Sequence, residues 1–104
     1  MEALVVYITA SSEDEAAMIA RTLVEEKLAA CVNIVKDIRS IYSWQGKIED
    51  EKECLMIVKT RLELFDALKT KVLGLHSYSV PEIIALPIVD GSEEYLKWLK
   101  EVTS

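Results

Sequence analysis

Ala29-Ala30-Cys31-Val32-Asn33-Ile34-Val35, then Ile38-Arg39-Ser40-Ile41-Tyr42-Ser43-Trp44, then Gln45-Gly46, then Lys47-Ile48 and onward to Cys54-Leu55-Met56-Ile57-Val58-Lys59 is the stretch that decides the fold. It is rich in β-branched and aromatic residues, and Gln45-Gly46 is a turn signal near its centre. The pattern predicts one long hairpin, bent or bulged at Lys36-Asp37. Its length has a consequence. About fifteen residues of strand span ~50 Å, whereas a compact domain of this size is only ~35 Å across. Either the hairpin bends sharply or its tip, with Tyr42 and Trp44, leaves the domain. An isolated two-stranded hairpin is marginal in water. The tip is therefore expected to be an arm that needs the surface of another subunit.

Upstream, Ala3 to Ile8 is a short apolar, β-branched run and reads as a strand buried on both faces. Ser12-x-x-Glu15 forms a capping box, with Glu13 and Asp14 in the first turn, where the helix dipole favours anions. Ala16, Ile19, Ala20, Leu23, Val24 and Leu28 make one stripe, so a helix is expected from about Ser12 to Leu28. Downstream, Thr60-x-x-Glu63 reads as a second capping box. Leu62, Phe65, Leu68, Val72 and Leu75 follow at helical spacing, with Gly74 where helices tend to stop. The connection His76–Glu82 leads into a strand at Ile83–Val89. Pro87 removes a ladder donor there and marks an edge or a bulge. Asp90-Gly91-Ser92 is a turn that caps a last helix with Tyr95, Leu96, Trp98, Leu99 and Val102 on its apolar face.

The order β-α-β-β-α-β plus a terminal helix predicts an α+β, ferredoxin-like βαββαβ sandwich with an extended hairpin between strands two and three. Residues 1–104 form a single domain. The first three strands read as apolar on both faces, yet both main helices cover one face only. The other face must meet something, and the related sheet of another subunit is the economical answer.

Composition narrows the functional classes. The 104 residues are 51% hydrophobic and 29% charged, with net charge −6. That balance suits a soluble globular protein and argues against nucleic acid or an anionic membrane surface as partner. No apolar run approaches the ~20 residues of a membrane span. No basic region precedes the first apolar run, so a cytoplasmic location is expected. Cys31 and Cys54 are the only cysteines and lie in apolar runs, as reduced thiols of a cytosolic protein do; a disulfide between them is not required. Nucleophile elbow, HExxH and EF-hand patterns are absent, and three glycines in all leave no material for a phosphate loop. Nothing here reads as an enzyme.

Several blocks together resemble the CutA family of divalent-cation tolerance proteins. They are Leu28-Ala29-Ala30-Cys31-Val32-Asn33, Ile41-Tyr42-Ser43-Trp44-Gln45-Gly46-Lys47-Ile48, Lys59-Thr60, His76-x-Tyr78-x-x-Pro81-Glu82-Ile83, and Tyr95-Leu96-x-Trp98-Leu99. They cover nearly the whole chain in order. The chain differs from the common pattern at Ser77, where a proline often sits. Ile8 and Leu75 stand where some members carry Cys and His. The resemblance implies a cytoplasmic homotrimer similar in plan to the PII signalling proteins. It implies binding of copper or another divalent cation, a role in tolerance to it, and no organic cofactor. A sensing or protein-interaction module of PII type, without metal, is the alternative.

On this reading His76, Cys31 and Glu82 are the candidate metal ligands. Tyr78, Pro81, Trp44 and Lys59 are cleft-lining or structural. Imidazole and thiolate suit copper or zinc, and a ligating His needs its second nitrogen held, here by Tyr78 or Glu82. Each candidate has a plainer reading. His76 can cap the preceding helix. Cys31 can be a small buried hydrophobe. Glu82 can accept backbone hydrogen bonds. Pro81 keeps Val80 extended. Trp44 and Trp98 are packing anchors. Glu49, Glu51 and Glu53 alternate along strand three as hard-cation donors would, but more simply as a solvated face that blunts edge pairing.

Overall fold

The computed structural model describes residues 1–104. In chain order it has β1 (Ala3–Ala10), α1 (Glu13–Glu25), β2 (Cys31–Trp44), β3 (Lys47–Arg61), a 3-10 turn at Leu62–Leu64, α2 (Phe65–Leu75), β4 (Ile83–Pro87) and α3 (Glu93–Val102). The sheet order is β2-β3-β1-β4 and every pairing is antiparallel, as the ferredoxin-like expectation requires. Pro87 closes edge strand β4 opposite Leu4. An edge is where a missing N–H is tolerated.

The hairpin carries both devices expected of it. Between Val35 and Ile38 the register with β3 shifts, because Lys36 and Asp37 together stand against Cys54. Asp37 takes a left-handed φ of 58° in this bulge, a conformation that Asp adopts more readily than most residues. At the tip, Gln45 and Gly46 have φ of 50° and 79° and close a two-residue turn between the paired Trp44 and Lys47. That geometry matches strand twist, and glycine adopts it without a Cβ penalty. β1 reaches only from Cys54 to Arg61 along β3, so Lys47–Glu53 has β2 alone as its neighbour. The molecule is accordingly elongated, 44 × 25 × 22 Å.

Leu4, Val6 and Ile8 of β1 and Met56 and Val58 of β3 bury one sheet face against Ile19 and Leu23 of α1 and Leu68 and Val72 of α2. The alternate residues, Val5, Tyr7, Leu55 and Ile57, are half-buried on the other face. On the same face Ile84 is 51% exposed and Leu86 44%. α3 covers only one end of it, through Leu99 on Ala3 and Ala30. There Arg61 fixes the C-terminus: Nε donates to Thr103 Oγ1 (2.9 Å) and Nη2 to the Thr103 carbonyl (2.8 Å).

Several element ends differ from the sequence expectation. α1 stops at Glu25, not Leu28, because Lys27 turns left-handed (φ 59°); Leu28 N–H then donates to Leu23 O and Lys27 N–H to Val24 O. This pair of bonds satisfies the last carbonyls, with Lys where glycine is usual. Thr60 is no helix cap. It lies in β3, fully buried, and its hydroxyl donates to the Leu28 carbonyl at 2.7 Å. The strand runs on to Arg61, and α2 starts through the 3-10 turn without a side-chain cap. β4 ends at Pro87 rather than Val89, and only Ile88 N–H continues the ladder, to Ala3 O. Ser92 precedes α3 but its hydroxyl caps nothing.

Candidate functional site

The His76–Glu82 connection follows the end of α2, where His76 N–H caps the helix through Val72 O (2.9 Å) and the backbone turns extended (ψ 141°). That turn carries the ring across the end of β1. Nε2 lies 2.7 Å from the carbonyl of Thr9, and Nδ1 accepts the N–H of Tyr78 at 3.1 Å. A carbonyl can only accept, so these partners define the Nε2–H tautomer. Both ring nitrogens are engaged, by backbone groups and not by the side chains of Tyr78 or Glu82.

Two carboxylates tie down the rest. Glu15 Oε2 accepts Ser77 N–H (2.9 Å), while its Oε1 accepts from the hydroxyl and N–H of Ser11 (3.2 and 3.4 Å). Burial raises the Glu15 carboxyl, but the hydrogen bonds from Ser77 and Ser11, with His76 nearby, outweigh it and hold it below the ordinary carboxylate range. Glu53 Oε2 accepts the Tyr78 hydroxyl at 2.7 Å. Desolvation first, and then this bond to a carboxylate, push the Tyr78 phenol far above its usual value. Glu53 is therefore not part of a solvated face: it is only 7% exposed. Tyr42 from the arm donates to Glu51 at 3.1 Å.

Between the arm and the connection lies a cleft of about 650 Å³, walled by Tyr42 and Trp44 on one side and Tyr78 and Val80 on the other. Buried Glu53 and exposed Glu82 also line it. Glu82 is exposed and makes no hydrogen bond within the chain, so the backbone-acceptor role does not hold. Pro81 is half-buried and Val80 before it is 69% exposed. Arg39, at the same cleft, is spent on Asp50 through two bonds of 2.9 and 2.7 Å.

Cys31 lies elsewhere. It pairs with Lys59 on β3 and faces the open side of the sheet, its Sγ 3.9 Å from Asn33 Oδ1. Lys59 Nζ donates to the same Asn33 oxygen. Cys31 on β2 and Glu82 ahead of β4 are offset by three strand spacings, about 14 Å, across the sheet, and further along it, since the Cys31 row meets β4 at Leu86. Within one chain no three His, Cys, Asp or Glu side chains converge as a cation site, so His76, Cys31 and Glu82 do not fit a metal ion by themselves. Both thiols are free, Cys54 buried and Cys31 half-buried. No helix is long and apolar enough to cross a membrane.

Sequence reasoning missed Glu15 and Glu53 as members of this site. Glu15 had a local explanation, as a cap. Glu53 is set apart from Glu49 and Glu51 only by falling next to Cys54, where β3 enters the core.

Residues 4–102 match the family described as CutA1 divalent ion tolerance protein. The chain is 56% identical over 99 residues to the divalent-cation tolerance protein CutA of Thermus thermophilus, covering 95% of this chain and 96% of that one. It is 49% identical over 100 residues to the chloroplastic protein CutA of Arabidopsis thaliana, covering 96% of this chain but about half (55%) of that longer protein. The crystal structure of CutA1 from Oryza sativa superposes with a TM-score of 0.97 at 47% identity, over 100% of this chain and 95% of that one.

Proposed function

The chain belongs to the CutA1 divalent ion tolerance family, and from that premise we propose a cytoplasmic homotrimer that binds copper or a related divalent cation at the seams between its subunits, without catalysis. The observation that carries this reading is the open sheet face. Val5, Tyr7, Leu55, Ile57, Ile84 and Leu86 form an apolar surface that α1 and α2 leave uncovered and α3 covers only at one end. An apolar surface of this kind is characteristic of an interface. A closed rotational arrangement repeats every cleft, so donors that stand apart in one chain can converge between copies. Glu82 is exposed and Cys31 half-buried, so both have donor capacity left. His76 would enter through Nδ1 by giving up the N–H of Tyr78.

Native mass spectrometry of untagged protein, with titration of copper(II) into wild type, Cys31→Ser, His76→Ala and Glu82→Gln, tests this. A three-chain mass and weakened binding in the variants are expected. A single-chain mass, or equal binding in all four proteins, would overturn it.

A further inference from the structure

We propose that Tyr78 is a latch on His76: its backbone N–H, held in place by carboxylates from two other elements, closes the imidazole until the His76–Glu82 connection opens. This rests on the reading of His76 as a ligand and adds how that ligand is regulated. A ring nitrogen can ligate only with a lone pair. Nε2 carries the proton that it donates to Thr9 O (2.7 Å), and the Nδ1 lone pair accepts Tyr78 N–H (3.1 Å). The single histidine of the chain therefore has no nitrogen to offer while the connection is closed.

The two partners differ in how readily they let go. Thr9 is buried in β1 and paired with Leu55 on β3, so the sheet fixes its carbonyl. A carbonyl on the far nitrogen is also what orients a ligating imidazole. Tyr78 belongs to an irregular segment, and Ser79 and Val80 after it are exposed and hydrogen-bond to nothing in the chain. Two carboxylates hold that segment. Glu15 of α1 accepts Ser77 N–H (2.9 Å), and buried Glu53 of β3 accepts the Tyr78 hydroxyl (2.7 Å). The centre of the Tyr78 ring lies 4.8 Å from that of the imidazole. Bonds to charged acceptors are the stronger kind, so the resting latch is closed and opens against them. A ligand that needs the open state binds more weakly by the fraction of chains that are open. Tyr78, Glu15 and Glu53 act through His76 and are positioning residues.

The test is nitrogen NMR of isotope-labelled histidine in the full chain, which reads His76 alone, in EDTA and at mildly alkaline pH where the ring is neutral. Wild type should show Nδ1 as an unprotonated, hydrogen-bonded nitrogen. In Tyr78→Phe, which loses the hydroxyl and keeps the ring, the Nδ1 signal should move toward that of an unbonded nitrogen while Nε2 keeps its proton. Copper(II), titrated without EDTA, should then bind about fivefold more tightly to Tyr78→Phe than to wild type, with no gain once His76→Ala is added. A merely structural Tyr78 would weaken binding instead. Glu15→Ala, which cuts the other tether, should change signal and affinity in the same direction, and it decides the matter if Tyr78→Phe does not fold. An unchanged Nδ1 signal, or a copper affinity that depends on His76 yet rises in neither variant, would overturn the latch. Equal copper binding in wild type and His76→Ala would overturn the reading of His76 as a ligand, and the metal-free spectra would still decide the latch.

Discussion

Glu15 does at residue scale what no local pattern shows. The Ser12 hydroxyl accepts Glu15 N–H at 3.1 Å, as a capping box requires, but the Glu15 carboxylate passes over Ser12 to Ser11 and across to Ser77, 62 residues away. Because the folded chain holds this carboxyl below its ordinary range, its contribution is present at neutral pH. It is lost as pH falls through that lowered value, when the acid protonates in the folded state too. Glu15→Gln should therefore cost about 1 kcal/mol at neutral pH, the value of a partly solvated charged hydrogen bond. The gap to wild type should close on acidification. Chemical denaturation at several pH values checks both, and a gap independent of pH would contradict the assignment. His76 was legible because it is the only histidine; its partners were not, since Thr9 and Tyr78 offer it backbone atoms that carry no residue signature.

At the scale of elements, type and order were readable because periodicity reports which face is buried. The long β2-β3 hairpin, its break at Lys36-Asp37 and its turn at Gln45-Gly46 all follow from pattern and turn chemistry. Ends were harder, because tertiary partners decide them. Thr60 has the sequence context of a cap, yet its hydroxyl belongs to the Leu28 carbonyl, and β3 runs two residues past Lys59, to Arg61. Lys27 occupies a left-handed position that sequence would assign to glycine. The turn offers a clean test. A Cβ at Gly46 would meet no atom within 4 Å, so Gly46→Ala is penalised only by its φ of 79°. A loss of about 1 kcal/mol is expected, read as a lower midpoint in thermal unfolding and faster hydrogen exchange of the arm's amides. Unchanged exchange would mean that the tip does not hold the turn described.

At the scale of the molecule, the sheet has two apolar faces and helices enough for one. Sequence showed this imbalance in strands that lack a polar side, but not how many copies resolve it; three comes from the family resemblance. The arm adds a second demand, since Tyr42, Trp44, Ile41 and Ile48 are 38%, 41%, 62% and 75% exposed on a two-stranded ribbon beyond the end of β1. Both demands are met if copies pack open face to open face and receive each other's arms. Sedimentation equilibrium at micromolar concentration tests this most directly. The expected result is one species of three times the chain mass across the concentration range; a species of single-chain mass would contradict it.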